Sequence, residues 1–497
     1  MNYFSKKNLI LEFYFFVMLK NHLKDILFKY LQFEPTEGQK SLADILAGMM
    51  TSTGDHQLLL VKGYAGTGKT SVISAFVRTL NDFKIHSVLM APTGRAAKVL
   101  SAYSGEQAFT IHKKIYRQKS SAGGFGTFTL NFNSHKDTFF IVDEASMISR
   151  YSVDRSIFGT GNLLDDLMKF VYNDRNCRLI LIGDTAQLPP VGQEESPALD
   201  RRRLEAYGTE AAECELTEVV RQSQESGILH NATIVRQLIT ELQPGYPKLQ
   251  ITGFPDVGRI SGEDLIETIT DAYDRYGIDE TAVICRSNKQ ANRYNQGIRN
   301  RILYREEELT PGDFLMVVRN NYHWIQDTEN ISFIANGDIV RLIRIRKYAE
   351  RYGFRFAEVD LCLPDYHHHE FSAIIMLDAL CSETAAITAE QNQQLYCAVA
   401  EDYAHVASKA QRYKMIKEDS YFNALQVKFA YAVTCHKAQG GQWQCVFLDQ
   451  GWLTDEMLNI EYLRWLYTAI TRATKKLYLV NFSEKFFAIC PFVSPYL

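Results

Sequence analysis

The sequence predicts an α/β protein built on two parallel sheets with flanking helices, one sheet in each half of the chain. Three observations predict it. Four short apolar, β-rich runs, Leu58 to Val61, Val88 to Met90, Phe139 to Val142 and Leu179 to Ile182, each precede a helical stretch. Strands that alternate with helices need crossover connections and therefore pair in parallel. A second set, Ala282 to Cys285, Phe429 to Thr434, Val446 to Leu448 and Leu477 to Val480, repeats the pattern. The length, 497 residues, exceeds what one core supports, and about two to four domains are expected.

Composition narrows the class without choosing a partner. Apolar residues make up 46% and charged residues 23%, ordinary for a soluble globular chain and unlike a disordered one. The formal net charge of -4 gives no overall basic signature, so a nucleic-acid site has to be a local groove. The nine cysteines (Cys177, Cys214, Cys285, Cys362, Cys381, Cys397, Cys435, Cys445, Cys490) are odd in number and form no C-x-x-C pair, which reads as reduced thiols in a cytoplasmic protein. At the start, Asn8 to Leu19 follows Lys6 and Lys7 and superficially looks like a signal-peptide core. It carries Glu12, is too short to span a bilayer and precedes no small-residue cleavage site, so an amphipathic N-terminal helix and no membrane partner are expected. Met18 offers an alternative start, which leaves the first 17 residues open.

The strongest chemical signal follows the first strand. Gly63-Tyr64-Ala65-Gly66-Thr67-Gly68-Lys69-Thr70 satisfies the phosphate-loop pattern G-x-x-x-x-G-K-[ST] between a strand and a helix. Gly63, Gly66 and Gly68 let backbone N–H groups, that of Thr67 among them, wrap phosphates. The helix N-terminus adds positive potential, Lys69 reaches the β- and γ-phosphates, and the Thr70 hydroxyl ligates Mg²⁺. ATP and Mg²⁺ are the expected cofactors. Ile141-Val142-Asp143-Glu144 brings two carboxylates to a strand's C-terminal edge, the ligand side of such sheets. Asp143 is placed to hold Mg²⁺ and Glu144 to orient and deprotonate the attacking water. The strand Leu179 to Ile182 runs into Gly183-Asp184-Thr185-Ala186-Gln187-Leu188-Pro189-Pro190. The neutral amide of Gln187 can bond both γ-phosphate and water, a sensor role compatible with a Pro-terminated turn.

Two segments interrupt the alternation. Ser120 to Ser134, rich in Gly and Ser with alternating Phe and Thr, suits a small β-hairpin. From about Pro311 to Asn423 the text changes to short β-like pieces, Asp338 to Ile345 and Phe354 to Leu361, then a polar helical stretch near Ala386 to Lys417. Within it, His367-His368-His369-Glu370 invites a metal reading, but consecutive residues do not easily converge on one ion and no further metal site is expected.

With these residues in view, the chain resembles superfamily 1 helicases, and specifically the RecD/Dda-like branch, superfamily 1B, over nearly its whole length from about Glu34 onward. Thr36-Glu37-Gly38-Gln39-Lys40 resembles that family's glutamine motif, in which Gln39 would read adenine. Ala91-Pro92-Thr93-Gly94-Arg95-Ala96-Ala97 resembles motif Ia and Thr110-Ile111-His112 the element after it. The resemblance implies that Pro92, Thr93, Arg95, Thr110 and His112 touch single-stranded DNA. Glu215 to Arg221, ELTEVVR, resembles motif IV, and Leu466 to Ala473, LYTAITRA, motif VI. It implies that Arg221 and Arg472 face the γ-phosphate as arginine fingers. Thr434-Cys435-His436-Lys437-Ala438-Gln439-Gly440 resembles motif V, implying that Thr434, His436 and Lys437 lie on the DNA side and that Gly440 permits close backbone approach near nucleotide.

The same resemblance implies two RecA-like P-loop NTPase domains, 35–104 with 137–214 (1A) and 215–310 with 424–497 (2A). An N-terminal extension would occupy 1–34, a small 1B pin hairpin 105–136, and an SH3-like 2B insertion 311–423. Phe125, Phe128 and Phe132 are pin candidates, Phe128 the first choice, with packing of the hairpin's inner face an equal alternative. The implied activity is ATP-dependent unwinding of DNA by 5′ to 3′ movement, coupled to closure of the two RecA-like domains. The implied partners are single-stranded and forked duplex DNA, with replication or repair proteins beside them and the chain itself a monomer. An RNA helicase or nucleic-acid-stimulated ATPase, and a non-enzymatic nucleic-acid-binding subunit, stay open as alternatives.

Overall fold

The structure, a computed structural model, describes residues 17–31, 33–52, 54, 56–118, 128–150, 159–173, 176–220, 225–325, 333–366, 368–384 and 386–487. The chain divides into two compact units. The first comprises Met1–Pro92, Ala96–Arg117 and Phe128–Gln224, and the second Thr93–Arg95, Gln118–Thr127 and Glu225–Leu497. Among the described residues no helix is long and apolar enough to cross a membrane.

Among the described residues, eight strands precede residue 220: β1 (Gln57–Gly63), β2 (Ser87–Ala91), β3 (Ala108–Thr110), β4 (Tyr116–Gln118), β5 (Phe128–Leu130), β6 (Phe139–Val142), β7 (Arg178–Gly183) and β8 (Glu210–Leu216). Six of them form one parallel sheet in the order β3-β2-β6-β7-β1-β8, and β4 pairs with β5. Every residue of β6 and β7 is buried, as is Leu58–Val61 of β1, the signature of strands covered on both faces by helices. The helix Lys69–Asp82 supplies one cover, turning Val72, Ile73, Phe76, Val77 and Leu80 inward, with Phe76 edge-on to Phe139 at 5.3 Å. Strand β8 corrects the expected boundary at 215: Glu215 and Leu216 pair with Lys62 and Gly63 of β1, so the first unit keeps them.

The segment expected as an extension over 1–34 is also part of this unit. Residues 17–30 are helical, and Leu27 and Leu31 sit in the same apolar core as Leu42, Leu46, Val61 and Phe76. Lys20 and Lys24 both pair with Asp44 on the next helix. The rest of the stretch Asn8 to Leu19 lies outside the described residues.

The second unit holds β9 (Val257–Ile260), β10 (Thr281–Cys285), β11 (Phe314–Val317), β12 (Ile339–Arg351), β13 (Phe354–Leu363), β14 (His369–Met376), β15 (Leu425–Phe429), β16 (Ala432–Thr434), β17 (Trp443–Asp449) and β18 (Ala473–Val480). A five-stranded parallel sheet runs β16-β10-β17-β18-β9, and β11 to β15 close a barrel. The insertion therefore extends past Asn423, because β15 completes the barrel against β11 and β14. The expected single strand Phe429 to Thr434 is two: Phe429 ends β15 and Ala432 begins β16. The buried Asn295 side chain makes that corner possible. It donates to the carbonyls of Phe429 and Ala432 and accepts from Ala432 N–H, satisfying backbone groups that a continuous ladder would have paired. One apolar core joins barrel and sheet, with Leu315, Val340, Leu361 and Val427 in the same cluster as Val283, Cys445 and Phe447. A second, smaller core seats helices Ala389–Asp402 and Lys409–Glu418 against Phe354, Phe356, Ile374 and Met376.

Candidate nucleotide site and strand-binding loops

The first unit gathers its chemistry at one sheet edge. Val61 pairs with Ile182, and Val142 with Leu181, so β1, β7 and β6 end side by side. The phosphate loop, the turn at Asp184 and the carboxylates Asp143 and Glu144 leave the sheet together. Gly66 and Gly68 both have φ +77°, a conformation that costs glycine nothing. At Gly68 a Cβ would also lie 2.4 Å from the Gln39 amide nitrogen. Thr67 is fully buried, its hydroxyl donating to Tyr64 O at 2.8 Å. The Lys69 ammonium donates to the carbonyls of Gly63 (2.6 Å) and Tyr64 (2.8 Å), which folds it over the loop. Thr70 follows in the first turn of the helix.

Asp143 is buried, and both that burial and the charge of Glu144 raise its pKa to about 6, while the Lys69 charge and the Glu144 N–H, which donates to Asp143 Oδ1 at 2.8 Å, pull the other way. Glu144 has φ +53°, left-handed backbone that a non-glycine residue adopts at a cost of about 1–3 kcal/mol and that recurs at functional sites. Gln187 is buried and its Oε1 has no hydrogen-bond partner. The buried hydroxyl of Ser146, two residues beyond Glu144, is likewise unpartnered. Sequence reading passed over Ser146, although its place directly after two strand-end carboxylates was visible. A buried orphan acceptor costs about 1–3 kcal/mol. Gln187→Met is therefore expected to leave the melting temperature unchanged or higher, while slowing phosphate release about tenfold, roughly the worth of one hydrogen bond. An unchanged release rate would remove Gln187 from the site.

Those features fit a nucleoside triphosphate and its attacking water: a loop whose glycines expose N–H groups, an ammonium exchangeable from two carbonyls to phosphate oxygens, and a buried amide oxygen that a water can donate to. A divalent cation fits beside Thr70 and Asp143, since a carboxylate held out of water gains most from a nearby positive charge. Gln39 is placed differently from the adenine-reading expectation. Its amide donates to Thr67 O at 2.9 Å and accepts from Thr36 N–H at 3.1 Å, completing a capping box on helix Glu37–Thr51. In this structure it braces the phosphate loop from behind, and contact with a base requires those bonds to exchange.

Comparison with known proteins agrees with this geometry. Residues 36–264 match the profile of an AAA domain and residues 429–480 that of a UvrD-like helicase C-terminal domain. The ATP-dependent RecD2 DNA helicase of Deinococcus radiodurans is 28% identical over 201 residues, 40% of this chain and 24% of that protein. The ATP-dependent DNA helicase dda of Enterobacteria phage T4 is 26% identical over 331 residues, 62% of this chain and 67% of that protein. The matching profiles and relatives support a superfamily 1B helicase of the RecD/Dda type as what this chain resembles. The match spans only about a quarter of the length of the RecD2 relative. A crystal structure of Pif1 helicase from Bacteroides, in complex with ADP-AlF3 and ssDNA, aligns over 92% of this chain and 95% of its own at 14% identity and a TM-score of 0.45.

The superfamily 1B motifs expected to touch a strand are placed as follows. Pro92 ends the first stretch of unit one, and Thr93–Arg95 group with unit two. There the Arg95 guanidinium lies 3.8 Å from the Trp443 ring centre and donates to Gln442 O. Burial lowers its pKa, so Arg95 is a packed cation rather than an open phosphate contact. Thr110 is buried and caps helix Ile111–Ile115, accepting from Lys113 N–H. Burial pulls His112 down to about 4, leaving a neutral imidazole that can hydrogen-bond phosphate without charge. Thr434 ends β16, His436 is exposed, and Gly440 has φ +71°. Burial lowers the Lys437 pKa to about 8, helped by the charge of Lys428.

Arg472 departs furthest from its expected pose. It is buried, with Nε donating to Thr468 O, Nη1 to Gly441 O and Nη2 to Thr471 Oγ1, at 3.0, 3.2 and 3.2 Å. The side chain thereby ties the end of helix Ile460–Ile470 to Gly441, the residue after motif V. A γ-phosphate contact requires those bonds to exchange. Arg221 and Phe125 lie outside the described residues, as does the side chain of Phe128, whereas Phe132 is exposed. Of the histidine run, His367 is likewise outside. Among the described residues no three His, Cys, Asp or Glu side chains gather as a metal site.

Proposed function

We propose that this chain is an ATP-driven helicase that moves 5′ to 3′ along single-stranded DNA and opens duplex ahead of it. The observation that carries the reading is the convergence, at neighbouring strand ends of one unit, of the phosphate loop, Asp143, Glu144 and the unpartnered Gln187 amide. Lys69 holds the terminal phosphates, and Thr70 and Asp143 form the seat for Mg²⁺. That ion supplies charge neutralisation on the phosphate oxygens when bound. Glu144 takes the proton from the attacking water, whose other hydrogen the unpartnered Gln187 Oε1 accepts, while the Gln187 NH₂ donates to the γ-phosphate. Strand contact falls to Thr93, His112, Thr434, His436 and Lys437, mostly through polar groups suited to phosphates, so movement is independent of sequence. Hydrolysis is coupled to the strand through alternating closure of the two RecA-like domains, Arg221 and Arg472 completing the site in the closed state. The barrel of β11 to β15 serves as the SH3-like 2B domain, and the β4–β5 ribbon as the base of the 1B pin.

Duplexes with only a 5′ or only a 3′ single-stranded tail test activity and direction together. The 5′-tailed substrate is expected to open in the presence of ATP and Mg²⁺ and the 3′-tailed one to stay closed. Opening of the 3′-tailed substrate alone would reverse the assigned polarity.

A further inference from the structure

We propose that Trp452 forms a base-stacking subsite for single-stranded nucleic acid beside the motif V loop, a role resting on the strand-binding reading above. Trp452 is 76% exposed, and an indole left in water forgoes the gain that its burial would bring. Single exposed apolar residues are common, but this one stands on a braced turn. Gly451, at φ +66°, reverses the chain directly before it. The Gly451 N–H bonds the Asp449 carboxylate, which also accepts from Tyr294 OH at 2.9 Å. On the other side the Trp452 carbonyl accepts from Arg286 Nη1 at 3.3 Å. Arg286 itself lies over the rings of Tyr462 and Trp465, 5.1 and 5.9 Å from their centres. The backbone of the turn is anchored at two points, the Gly451 N–H and the Trp452 carbonyl, while the indole faces solvent.

Position gives the indole its ligand. Thr434 pairs with Cys285, and Ile284 with Leu448, so β16, β10 and β17 end level with one another. Motif V leaves the sheet from β16 and the Trp452 turn from β17, with Arg286 between them. Two strand spacings, about 10 Å, separate the loops. Lys437 and His436 meet a backbone at one end of this row, and a flat aromatic waits at the other. That pairing of cation and stacking platform grips a single strand without reading its sequence, because every base has a π-face. A protein partner would call for an apolar surface beside the indole, whereas Arg286, His436 and Lys437 give this row basic side chains suited to a polyanion.

The test uses the full chain, an end-labelled oligothymidylate, and an oligomer of equal length with abasic sites. Trp452→Ala is expected to weaken oligothymidylate binding about tenfold, the worth of one base stack, and to remove most of the tryptophan fluorescence quenching that binding causes. Trp452→Phe is expected to keep affinity within about threefold. The wild type should prefer bases over abasic sites, and Trp452→Ala should lose that preference. Basal ATP hydrolysis without oligonucleotide serves as the folding control and stays at the wild-type rate. Unchanged affinity and quenching in Trp452→Ala overturn the subsite alone, and so does an equal loss on the abasic oligomer. Failure of the wild-type chain to bind any oligonucleotide overturns the strand-binding reading with it.

Discussion

Lys69→Ala is expected to lower ATP hydrolysis on the order of 10²–10³-fold, the usual loss when one preorganised donor to a developing charge is removed, while single-strand affinity changes by less than about threefold. The ammonium does two things that alanine cannot. It offers the terminal phosphates a positive charge from a loop that otherwise contributes only N–H dipoles, and it bridges the carbonyls of Gly63 and Tyr64. Arginine does not substitute, because its planar fork is longer and cannot take up the compact position of an ammonium. Affinity survives because Thr434, His436 and Lys437 are held by β16 and the short helix after it in the other unit, without Lys69 among their supports. Phosphate release with and without single-stranded DNA, together with the anisotropy of a labelled strand, measures both quantities. A variant that also lost the strand would show the two sites to be built as one.

What could be read in the sequence divides by contact range. Gly63 to Thr70, and the carboxylates after Phe139 to Val142, are continuous in the chain, and their chemistry follows from local order once strand and helix flank them. Even there one role shifted. Thr36 to Gln39 is also a T-x-x-Q capping signature, and the structure commits Gln39 to it. Edge strands were less legible: Glu210–Leu216 alternates charged and apolar residues and lacks the continuous apolar run that marked β1, β6 and β7. Partners far apart in sequence were not legible at all. The turn at Phe429 to Ala432 depends on Asn295, more than 130 positions away, and the buried pose of Arg472 depends on the carbonyl of Gly441. Burial alone holds the His112 imidazole neutral, its pKa pulled down to about 4, and nothing in Thr110-Ile111-His112 announces how deeply the ring packs.

Asp313→Ala is expected to destabilise the second unit by about 3–5 kcal/mol, because it leaves buried cations without their partner. The Asp313 carboxylate is fully buried and accepts five donors: Arg299 Nε at 3.2 Å and Nη2 at 3.1 Å, Arg305 Nη1 at 2.7 Å, Tyr431 OH at 2.9 Å and Thr310 N–H at 2.8 Å. The Arg299 side chain is 6% exposed and cannot reach water without unpacking from Phe429, whose ring centre is 4.3 Å away. Removing the carboxylate therefore costs far more than its bonds contribute in the intact network. Replacing Asp313, Arg299 and Tyr431 together by Leu, Met and Phe is expected to restore much of the loss, since an apolar set leaves no buried charge unpaired and Arg305 is free to turn outward. Chemical denaturation of both variants measures the difference, and a single variant as stable as the wild type would refute the assignment. The consequence for function follows from the path of the chain. Asp313 directly precedes β11, and Tyr431 sits between β15, the last strand of the barrel, and β16, which ends in Thr434. Loosening this knot frees the barrel from the strand that carries motif V. Unwinding per ATP should accordingly fall in Asp313→Ala at temperatures where the unit is still folded, while basal hydrolysis persists, since the phosphate loop, Asp143, Glu144 and Gln187 lie in the first unit and Arg472 is held by Thr468, Gly441 and Thr471 rather than by this knot.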